Sequence, residues 1–377
     1  MRLLLPLLIV GSLVACSSTP IHEPTPLEPL ATAVKVQKLW SVSSSSSSKS
    51  KVYEHLQPAL QGGVIYSVSA GGVVQANEIG KAAQLWKQDL DSVVSAGLAV
   101  ENDLLLLATS EAEVIAMAKD NGDILWRSTV SSEVLAQPVI SGNFVIVRSA
   151  DGVTQALSAD NGESLWSFSS NVPALSLRGD AAPVVAGELV LLGQANGRLS
   201  ALSIFDGVLQ WETAVVVPQG RTDLERMVDV DATPLVVDSV VYVAAHQGRV
   251  LALSKLTGAT LWSRDLGTSI GMSVDNEKLY IVDDEGQVWA LDRRNGATLW
   301  KLDKLKYRDL SAPVGYADSI VVGDYEGQLH WISKDDGAIT ARHQVDEDGV
   351  RVAPLVRDGV LYSRSKSGRL VALRLKP

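Results

Sequence analysis

A fixed spacing between three residues recurs along the chain and limits what it can fold into. In its plainest copy, Pro234 is followed 14 positions later by Gly248 and a further 14 positions later by Trp262. The same spacing fits eight units, whose central residues are Gly72, Ala112, Gly152, Gly197, Gly248, Gly286, Gly327 and Gly368. Because length varies only between one Trp position and the next Pro position, the pattern indicates a structural repeat of about 40 residues.

Each unit has the residue pattern of four short β-strands. In the unit that begins at Pro234, segment 240–244 is rich in β-branched and aromatic residues, which favour strands. Tight hairpins are indicated where Asn-Gly or Asp-Gly can adopt positive φ, at 121–122, 161–162, 206–207, 295–296 and 336–337. Four-stranded antiparallel units at this period predict an all-β chain that folds as an eight-bladed β-propeller over residues 36–377.

The two ends of the chain complete one blade between them. The eighth unit stops at Pro377, before a fourth strand could form, and the missing Leu-Trp pair stands at Leu39 and Trp40. We therefore predict that the N-terminal strand completes the last blade, which closes the ring and covers strand edges that would otherwise stay open to pairing.

One unit exchanges a large and a small residue. Four positions after the central residue, seven of the eight units have Ala. The exception is the seventh unit, which has Trp331 at this position and Ala341 at the position of the repeat Trp. We predict that these two residues are cross-strand neighbours, because the exchange conserves volume at one place. The repeat tryptophans are interpreted as blade-packing residues rather than a ligand cage: Trp40, Trp86, Trp126, Trp166, Trp211, Trp262 and Trp300, with Trp331 as the exchanged member. Trp289 lies outside the repeat and is assigned to a strand face.

The N-terminus has the character of a secretory signal peptide over residues 1–15. Arg2 precedes an apolar run that is too short to span a bilayer, and small residues precede Cys16, the only cysteine. The sequence Leu-Val-Ala-Cys resembles the lipobox of bacterial lipoproteins, which implies cleavage before Cys16 and acylation of its thiol. Ser17 in the next position implies sorting to the outer membrane in Gram-negative bacteria. The alternative is an ordinary signal peptide with a chance cysteine.

The segment that follows, residues 16–35, is rich in proline and carries no core. It contains Pro20, Pro24, Pro26 and Pro29, so we expect an extended tether between the lipid and the ring.

Two blade-to-blade connections are longer than the repeat needs, at residues 166–183 and 211–234. They flank one blade and emerge on the same face, so they form one surface, and long loops on a rigid scaffold usually carry function. Exposed leucine beside arginine is typical of a protein-binding hot spot. The candidate partner-binding residues are Leu175, Leu177, Arg178, Asp229 and Asp231, with Arg221 and Arg226 in support. Alternatively, the leucines cover the blade edge and Arg178 pairs with Asp229 or Asp231.

A third long connection contains the run Ser43–Ser48, which we interpret as flexible low-complexity sequence.

Nothing in the sequence indicates catalysis or a nucleic-acid partner. The five histidines are scattered without metal-ligand spacing, and there is no nucleophile elbow or phosphate-binding glycine loop. We therefore predict no catalytic residues, no cofactor and no metal site, and we interpret His246 and His330 as structural. The net charge of −10 argues against binding to nucleic acid, which requires a basic face.

Three longer motifs carry a family resemblance. The repeat Ala-Leu-x-x-x-x-Gly-x-x-Leu-Trp resembles the pyrroloquinoline-quinone-type propeller repeat. LSLRG (175–179), PQGRTDLERMVDVDATP (218–234) and GDYEGQLHWIS (323–333) resemble the B-subunit lipoproteins of the bacterial β-barrel assembly machinery.

This resemblance implies a non-enzymatic scaffold that is lipid-anchored at the periplasmic face of the outer membrane. The implied partner is the central barrel subunit, through its polypeptide-transport-associated (POTRA) domains. The other lipoprotein subunits would be indirect partners and unfolded outer-membrane proteins transient ones, with membrane contact through the lipid alone. The family's binding residues correspond here to Leu175, Leu177, Arg178, Asp229 and Asp231.

Two rival interpretations share the scaffold. Quinone-dependent dehydrogenases have the same blade repeat, but they resemble this chain in that repeat only and add long insertions, a calcium site and often a vicinal disulfide. A surface adhesin is the second rival. A WD40 propeller is disfavoured because no Trp-Asp dipeptide occurs.

Overall fold

The computed structural model describes residues 22–30, 34–43, 55–177, 181–219, 221–222, 226–246 and 248–376. These residues form 32 β-strands in eight four-stranded antiparallel sheets, and no helix occurs among them. The eight sheets are the blades of a closed ring, which confirms the predicted propeller. Since the described part of the chain is entirely strand and loop, it holds no helix that could cross a membrane.

The chain enters through β1 (Val36–Ser43) and then builds the first four blades in order. Blade 1 consists of β2 (Ala59–Gln61), β3 (Val64–Val68), β4 (Val73–Glu78) and β5 (Gln84–Asp89). Blade 2 consists of β6 (Val94–Glu101), β7 (Leu104–Thr109), β8 (Glu113–Ala118) and β9 (Ile124–Thr129). Blade 3 consists of β10 (Val139–Ser141), β11 (Phe144–Arg148), β12 (Val153–Ser158) and β13 (Ser164–Ser169). Blade 4 consists of β14 (Val184–Ala186), β15 (Leu189–Gly193), β16 (Arg198–Ser203) and β17 (Leu209–Ala214).

The remaining blades follow the same plan. Blade 5 consists of β18 (Leu235–Val237), β19 (Val240–Ala244), β20 (Val250–Ser254) and β21 (Thr260–Arg264). Blade 6 consists of β22 (Gly271–Val274), β23 (Lys278–Val282), β24 (Val288–Asp292) and β25 (Thr298–Leu302). Blade 7 consists of β26 (Val314–Tyr316), β27 (Ser319–Gly323), β28 (Gln328–Ser333) and β29 (Ile339–Gln344). Blade 8 consists of β30 (Leu355–Arg357), β31 (Val360–Arg364), β32 (Arg369–Leu375) and the N-terminal β1.

The predicted ring closure is confirmed by the pairing of β1 with β32. The register runs antiparallel from Val36 opposite Leu375 to Ser43 opposite Arg369, and Trp40 stands opposite Ala372. This is the same Trp–Ala pairing that joins the third and fourth strands of the other blades, such as Ala76 with Trp86. The strand borrowed from the N-terminus therefore replaces a missing fourth strand residue for residue.

The repeat tryptophans lie between neighbouring blades. Trp126 donates its indole N–H to the Ala159 carbonyl in the hairpin of the next blade, at 2.8 Å. Gly162 of that hairpin has φ +74°, and a Cβ added there would lie 2.6 Å from the Trp126 ring. Glycine is therefore required both for the turn and for the ring beneath it. Equivalent indole–carbonyl bonds of 2.6–3.0 Å are made by Trp40, Trp86, Trp166, Trp211, Trp262 and Trp300.

The exchanged pair behaves as predicted, with one added feature. Trp331 stands opposite Ala341 and is fully buried in the core between blades 7 and 8. Its indole N–H has no acceptor among the described residues. The reason lies in the next blade, where the third and fourth strands, β32 and β1, belong to opposite ends of the chain. No hairpin joins those strands, so blade 8 lacks the turn carbonyl that the other tryptophans use.

Trp289 lies on β24, as assigned, and its indole N–H donates to Asp283 Oδ2 at 2.8 Å. The Lys301 ammonium lies 4.6 Å from its ring centroid. The side chain therefore has a structural position within blade 6.

The described part of the predicted tether does not stand free. Residues 22–30 lie against blades 6 and 7, where the Thr25 N–H donates to the Lys306 carbonyl at 3.0 Å. Leu27 packs against the core cluster of these blades. The signal peptide, Cys16 and residues 44–48 of the serine run fall outside the described residues.

The indole hydrogen bond gives a paired stability test. Trp126→Phe removes the hydrogen bond to the Ala159 carbonyl. Trp331→Phe also replaces a buried indole by a smaller ring, but the N–H that it removes has no acceptor among the described residues. We expect Trp126→Phe to lower the free energy of unfolding by about 1 kcal/mol more than Trp331→Phe, as measured by urea denaturation. Equal losses in the two variants would contradict this account of the exchanged blade.

Candidate partner-binding surface

Two loops flank blade 4 on one face of the ring. Loop A (residues 170–183) connects blades 3 and 4, and loop B (residues 215–234) connects blades 4 and 5. The structure joins them directly, because the Leu177 N–H donates to Asp229 Oδ2 at 2.8 Å. A second link runs from the Ala182 N–H to Thr233 Oγ1 at 3.2 Å. The two long connections therefore form one continuous surface.

Asp229 is the buried centre of this arrangement. Its side chain is fully buried, and its Oδ1 has no hydrogen-bond partner within the described part of the chain. Burial raises the pKa of Asp229, although the Leu177 amide and the charge of His246 oppose the shift. The buried carboxylate contacts loop A through its bond with the Leu177 amide.

The backbone around Asp229 is fixed on both sides. The Asp229 carbonyl accepts the His246 N–H at 2.9 Å, and the Val230 N–H donates to the Gln194 carbonyl at 3.1 Å. Val230 and Val228 are buried, and Val230 belongs to the core cluster of blades 4 and 5. Apolar anchors and backbone bonds therefore keep loop B rigid over these residues.

His246 extends this network to blade 6. Its Nδ1 lies 2.8 Å from Asp284 Oδ2, while the Ser269 N–H and hydroxyl both donate to Asp284 Oδ1. The hydrogen bond with Asp284 raises the pKa of His246, and burial opposes it. Burial would raise the pKa of Asp284, but the bonds from His246 and Ser269 lower it below its usual value. The result is a hydrogen-bonded pair that links loop B to the turn of blade 6.

Asp231 lies on the channel side of loop B. It is almost fully buried and lines the central channel, a cavity of about 730 Å³ to which the inner ends of the blades contribute. The Asp309–Arg351 ion pair faces the same channel. The Asp231 side chain therefore faces the axis of the ring and not the exposed surface of loops A and B.

The exposed part of the surface is apolar. Leu175 is 43% exposed and Leu177 is 38% exposed in loop A. Loop B adds Val217, which is 62% exposed and lines a groove of about 480 Å³ with Val228 and Arg249. Arg221 and Arg226 are exposed in loop B as well, whereas Arg178 lies outside the described residues.

Val217 and the linking role of Thr233 were not predicted from the sequence. The apolar run Val215-Val216-Val217 directly after the blade-4 strand was the available signal for the first. No sequence pattern distinguished Thr233 from an ordinary turn residue.

The described part of the chain contains no group of three His, Cys, Asp or Glu side chains placed to hold a metal ion together.

The Asp229–Leu177 bond predicts how loop A responds to substitution. Asp229→Ala removes the acceptor, so we expect amide exchange at Leu177 to accelerate by about tenfold. Asp229→Asn retains an acceptor oxygen without the buried charge and should stay close to the wild type. Hydrogen–deuterium exchange of a peptide that covers residues 172–177 measures the effect. Unchanged exchange in Asp229→Ala would show that loop A is held elsewhere.

The His246–Asp284 pair predicts a pH dependence of stability. A histidine whose pKa is raised on folding contributes fully below its unfolded pKa of about 6.5, and the contribution is lost as the pH rises through the folded value. We therefore expect the difference in unfolding free energy between the wild type and His246→Gln to shrink as the pH increases from about 6 to about 9. Urea denaturation across this range measures it, and a constant difference would contradict the assignment.

Comparison with known proteins identifies the family. The profile of the family described as outer membrane protein assembly factor BamB matches residues 70–302. A relative from Pseudomonas aeruginosa, described in the same words, is 39% identical over 367 residues that cover 97% of this chain and 96% of the relative. The crystal structure of BamB from Moraxella catarrhalis has a TM-score of 0.83 at 26% identity and covers 90% of this chain and 100% of that one.

A europium-containing methanol dehydrogenase has a TM-score of 0.74 at 13% identity, over 90% of this chain and 93% of its own. Identity at that level shows a shared fold and nothing more. The family profile and the relative from Pseudomonas aeruginosa, by contrast, match in sequence, and the relative does so over nearly the whole length. The chain therefore belongs to the outer membrane protein assembly factor BamB family.

Proposed function

We propose that the chain is a non-catalytic scaffold of outer-membrane protein assembly. In this role it binds the central barrel subunit of the assembly complex through that subunit's POTRA domains. It is held at the periplasmic face of the outer membrane by acylated Cys16, and it assists the insertion of outer-membrane proteins. Its relatives are described as outer membrane protein assembly factors, which supports the general role in outer-membrane assembly.

The observation that carries the binding proposal is the junction of loops A and B at Asp229. A partner-binding surface needs exposed apolar groups on a backbone that is already ordered, because ordering loops on association reduces affinity. Leu175 and Leu177 supply the apolar groups. The bond from Asp229 Oδ2 to the Leu177 N–H supplies the order.

Each predicted site residue then has a specific role. Leu175, Leu177 and Arg178 contact the partner, and Val217 extends the apolar area on loop B. Asp229 is a positioning residue that works through loop A. Asp231 supports loop B from the channel side, and Arg221 and Arg226 form the polar rim.

A matched pair of leucines tests the surface. Leu175→Glu places a charge among the contact residues, whereas Leu256→Glu places the same charge at an 82% exposed position in a blade-5 hairpin. That hairpin lies on the opposite face of the ring, because successive strands run in opposite directions. We expect Leu175→Glu to weaken binding to the isolated POTRA domains by at least about thirtyfold and Leu256→Glu to leave it unchanged.

The same titration with Arg178→Glu should lose binding to a similar extent, while circular dichroism reports an intact fold. Wild-type affinity in both Leu175→Glu and Arg178→Glu would remove this surface from the proposal.

A further inference from the structure

The N-terminal strap, residues 22–30, makes backbone contacts of a kind that a loose tether does not make. The Thr25 N–H donates to the Lys306 carbonyl at 3.0 Å, and the Thr25 carbonyl accepts from Arg308 Nη1 at 3.0 Å. One residue of the strap is therefore held through both of its backbone polar groups by the connection between blades 6 and 7.

Arg308 is the side chain that makes this contact energetically important. The side chain is almost fully buried, and its Nε donates to Asp324 Oδ2 at 2.9 Å while its Nη2 bonds to Glu326. Nη1 donates to the Thr25 carbonyl of the strap. Because a buried guanidinium is costly when a donor lacks an acceptor, the strap completes the hydrogen bonding of a charge that is buried in the docked structure.

Side chains of the strap fit the same place. Leu27 packs against the apolar cluster of blades 6 and 7, which includes Leu305. The His22 ring stacks on Tyr307 with centroids 4.4 Å apart and planes 6° from parallel. An apolar anchor and a stacked ring five residues apart position the strap along its length.

The charges of the strap and its site are complementary. Glu28 pairs with Lys304 at 2.8 Å, and its carbonyl accepts from Arg342 Nη1 at 3.1 Å. Four cationic side chains line the site. Lys306 pairs there with Glu285, and Arg308 pairs with Asp324 and Glu326, while Lys304 and Arg342 contact the strap. The site comprises Lys304, Lys306, Arg308 and Arg342, together with Tyr307, and we call it the basic groove.

We infer that the basic groove is a binding site for an extended, acidic, proline-containing segment, and that its occupant is the chain's own N-terminal strap. Proline suits such a site because it fixes an extended backbone before binding, which reduces the entropy lost on docking. The exposed Glu28–Lys304 pair adds little energy by itself. Arg308 and Leu27 therefore supply the main attachment.

This docking has a consequence for membrane attachment, which rests on the proposed acylation of Cys16. Six residue steps separate Cys16 from His22 and span at most about 20 Å. The anchor therefore leaves the ring beside blades 6 and 7, two to three blades away from blade 4 and on the face that carries loops A and B. The ring is therefore attached to the membrane beside blades 6 and 7 by a short connection instead of a long flexible linker.

Distance measurements on the full chain test the docking. Spin labels are attached at Glu23→Cys on the strap and Glu347→Cys on the blade 7–8 connection, both exposed positions. Acylation of Cys16 would leave these as the only free thiols, and a Cys16→Ser form carries the same labels without lipid. We expect one narrow distance in the wild-type background.

Two leucine variants give the matched comparison. Leu27→Asp removes the apolar anchor, and we expect the distances to spread over about 20 Å, the span of roughly ten flexible residues. Leu125→Asp adds the same charge at a 55% exposed position of blade 2 and should keep the narrow distance. A broad distribution in the wild-type background, or a narrow one in Leu27→Asp, would overturn the inference.

A second measurement separates the strap from the anchor. The lipidated chain is bound to vesicles with quencher headgroups and carries a fluorophore at Glu347→Cys or at Glu111→Cys in blade 2, on the same face. We expect at least twofold stronger quenching at position 347, and equal quenching once Leu27→Asp is added. Equal quenching without Leu27→Asp would refute the fixed attachment. Failure to float with vesicles, together with narrow solution distances, would refute the lipid anchor and leave the docked strap intact.

Discussion

The tryptophan between neighbouring blades is the contact on which the ring depends. In six of the eight blade junctions the indole bonds to a turn carbonyl of the next blade and lies under a glycine there, as with Trp126, Ala159 and Gly162. A residue inserted within a unit would move the indole away from both the carbonyl and the glycine of the next blade. Length can change only between the tryptophan and the next inner strand, and those connections all lie on one face. The same packing rule that fixes the scaffold therefore confines structural variation to the face that carries loops A and B.

Much of the fold was predictable because it depends on local periodicity. The eight blades, the borrowed strand at Trp40 and the Trp331–Ala341 neighbours follow from counting positions, and the structure confirms them. The burial of Asp229 and Asp231 was not predictable in this way. Both look like exposed loop acids in the sequence, and only the strand turns and channel packed around them show that they face inward. The strap was missed for the same reason, since its partner Arg308 is nearly 300 residues away in the chain.

Loops A and B are joined to each other and to the blades by a chain of hydrogen bonds. From Leu177 the contacts pass through Asp229 to His246 and on to Asp284, and so reach from blade 3 to blade 6. An apolar surface supported in this way loses little freedom when a partner covers it. Its hydrogen bonds also involve carboxylates and a histidine, which makes the same support sensitive to protonation.

The pairing of β1 with β32 also determines when the fold can be completed. These strands lie at opposite ends of the chain, so their contact has nearly the greatest sequence separation that the molecule allows, and contacts of this kind form late. A chain that is synthesised N-terminus first must keep β1 unpaired until the last strand appears. Blade 8, which this pairing completes, is also the blade against which Trp331 packs without the usual hydrogen bond. The ring therefore stays open at blade 8 until the whole chain has been made. Pairing of β1 with β32 is then the last step of folding, and it can occur only in a complete chain.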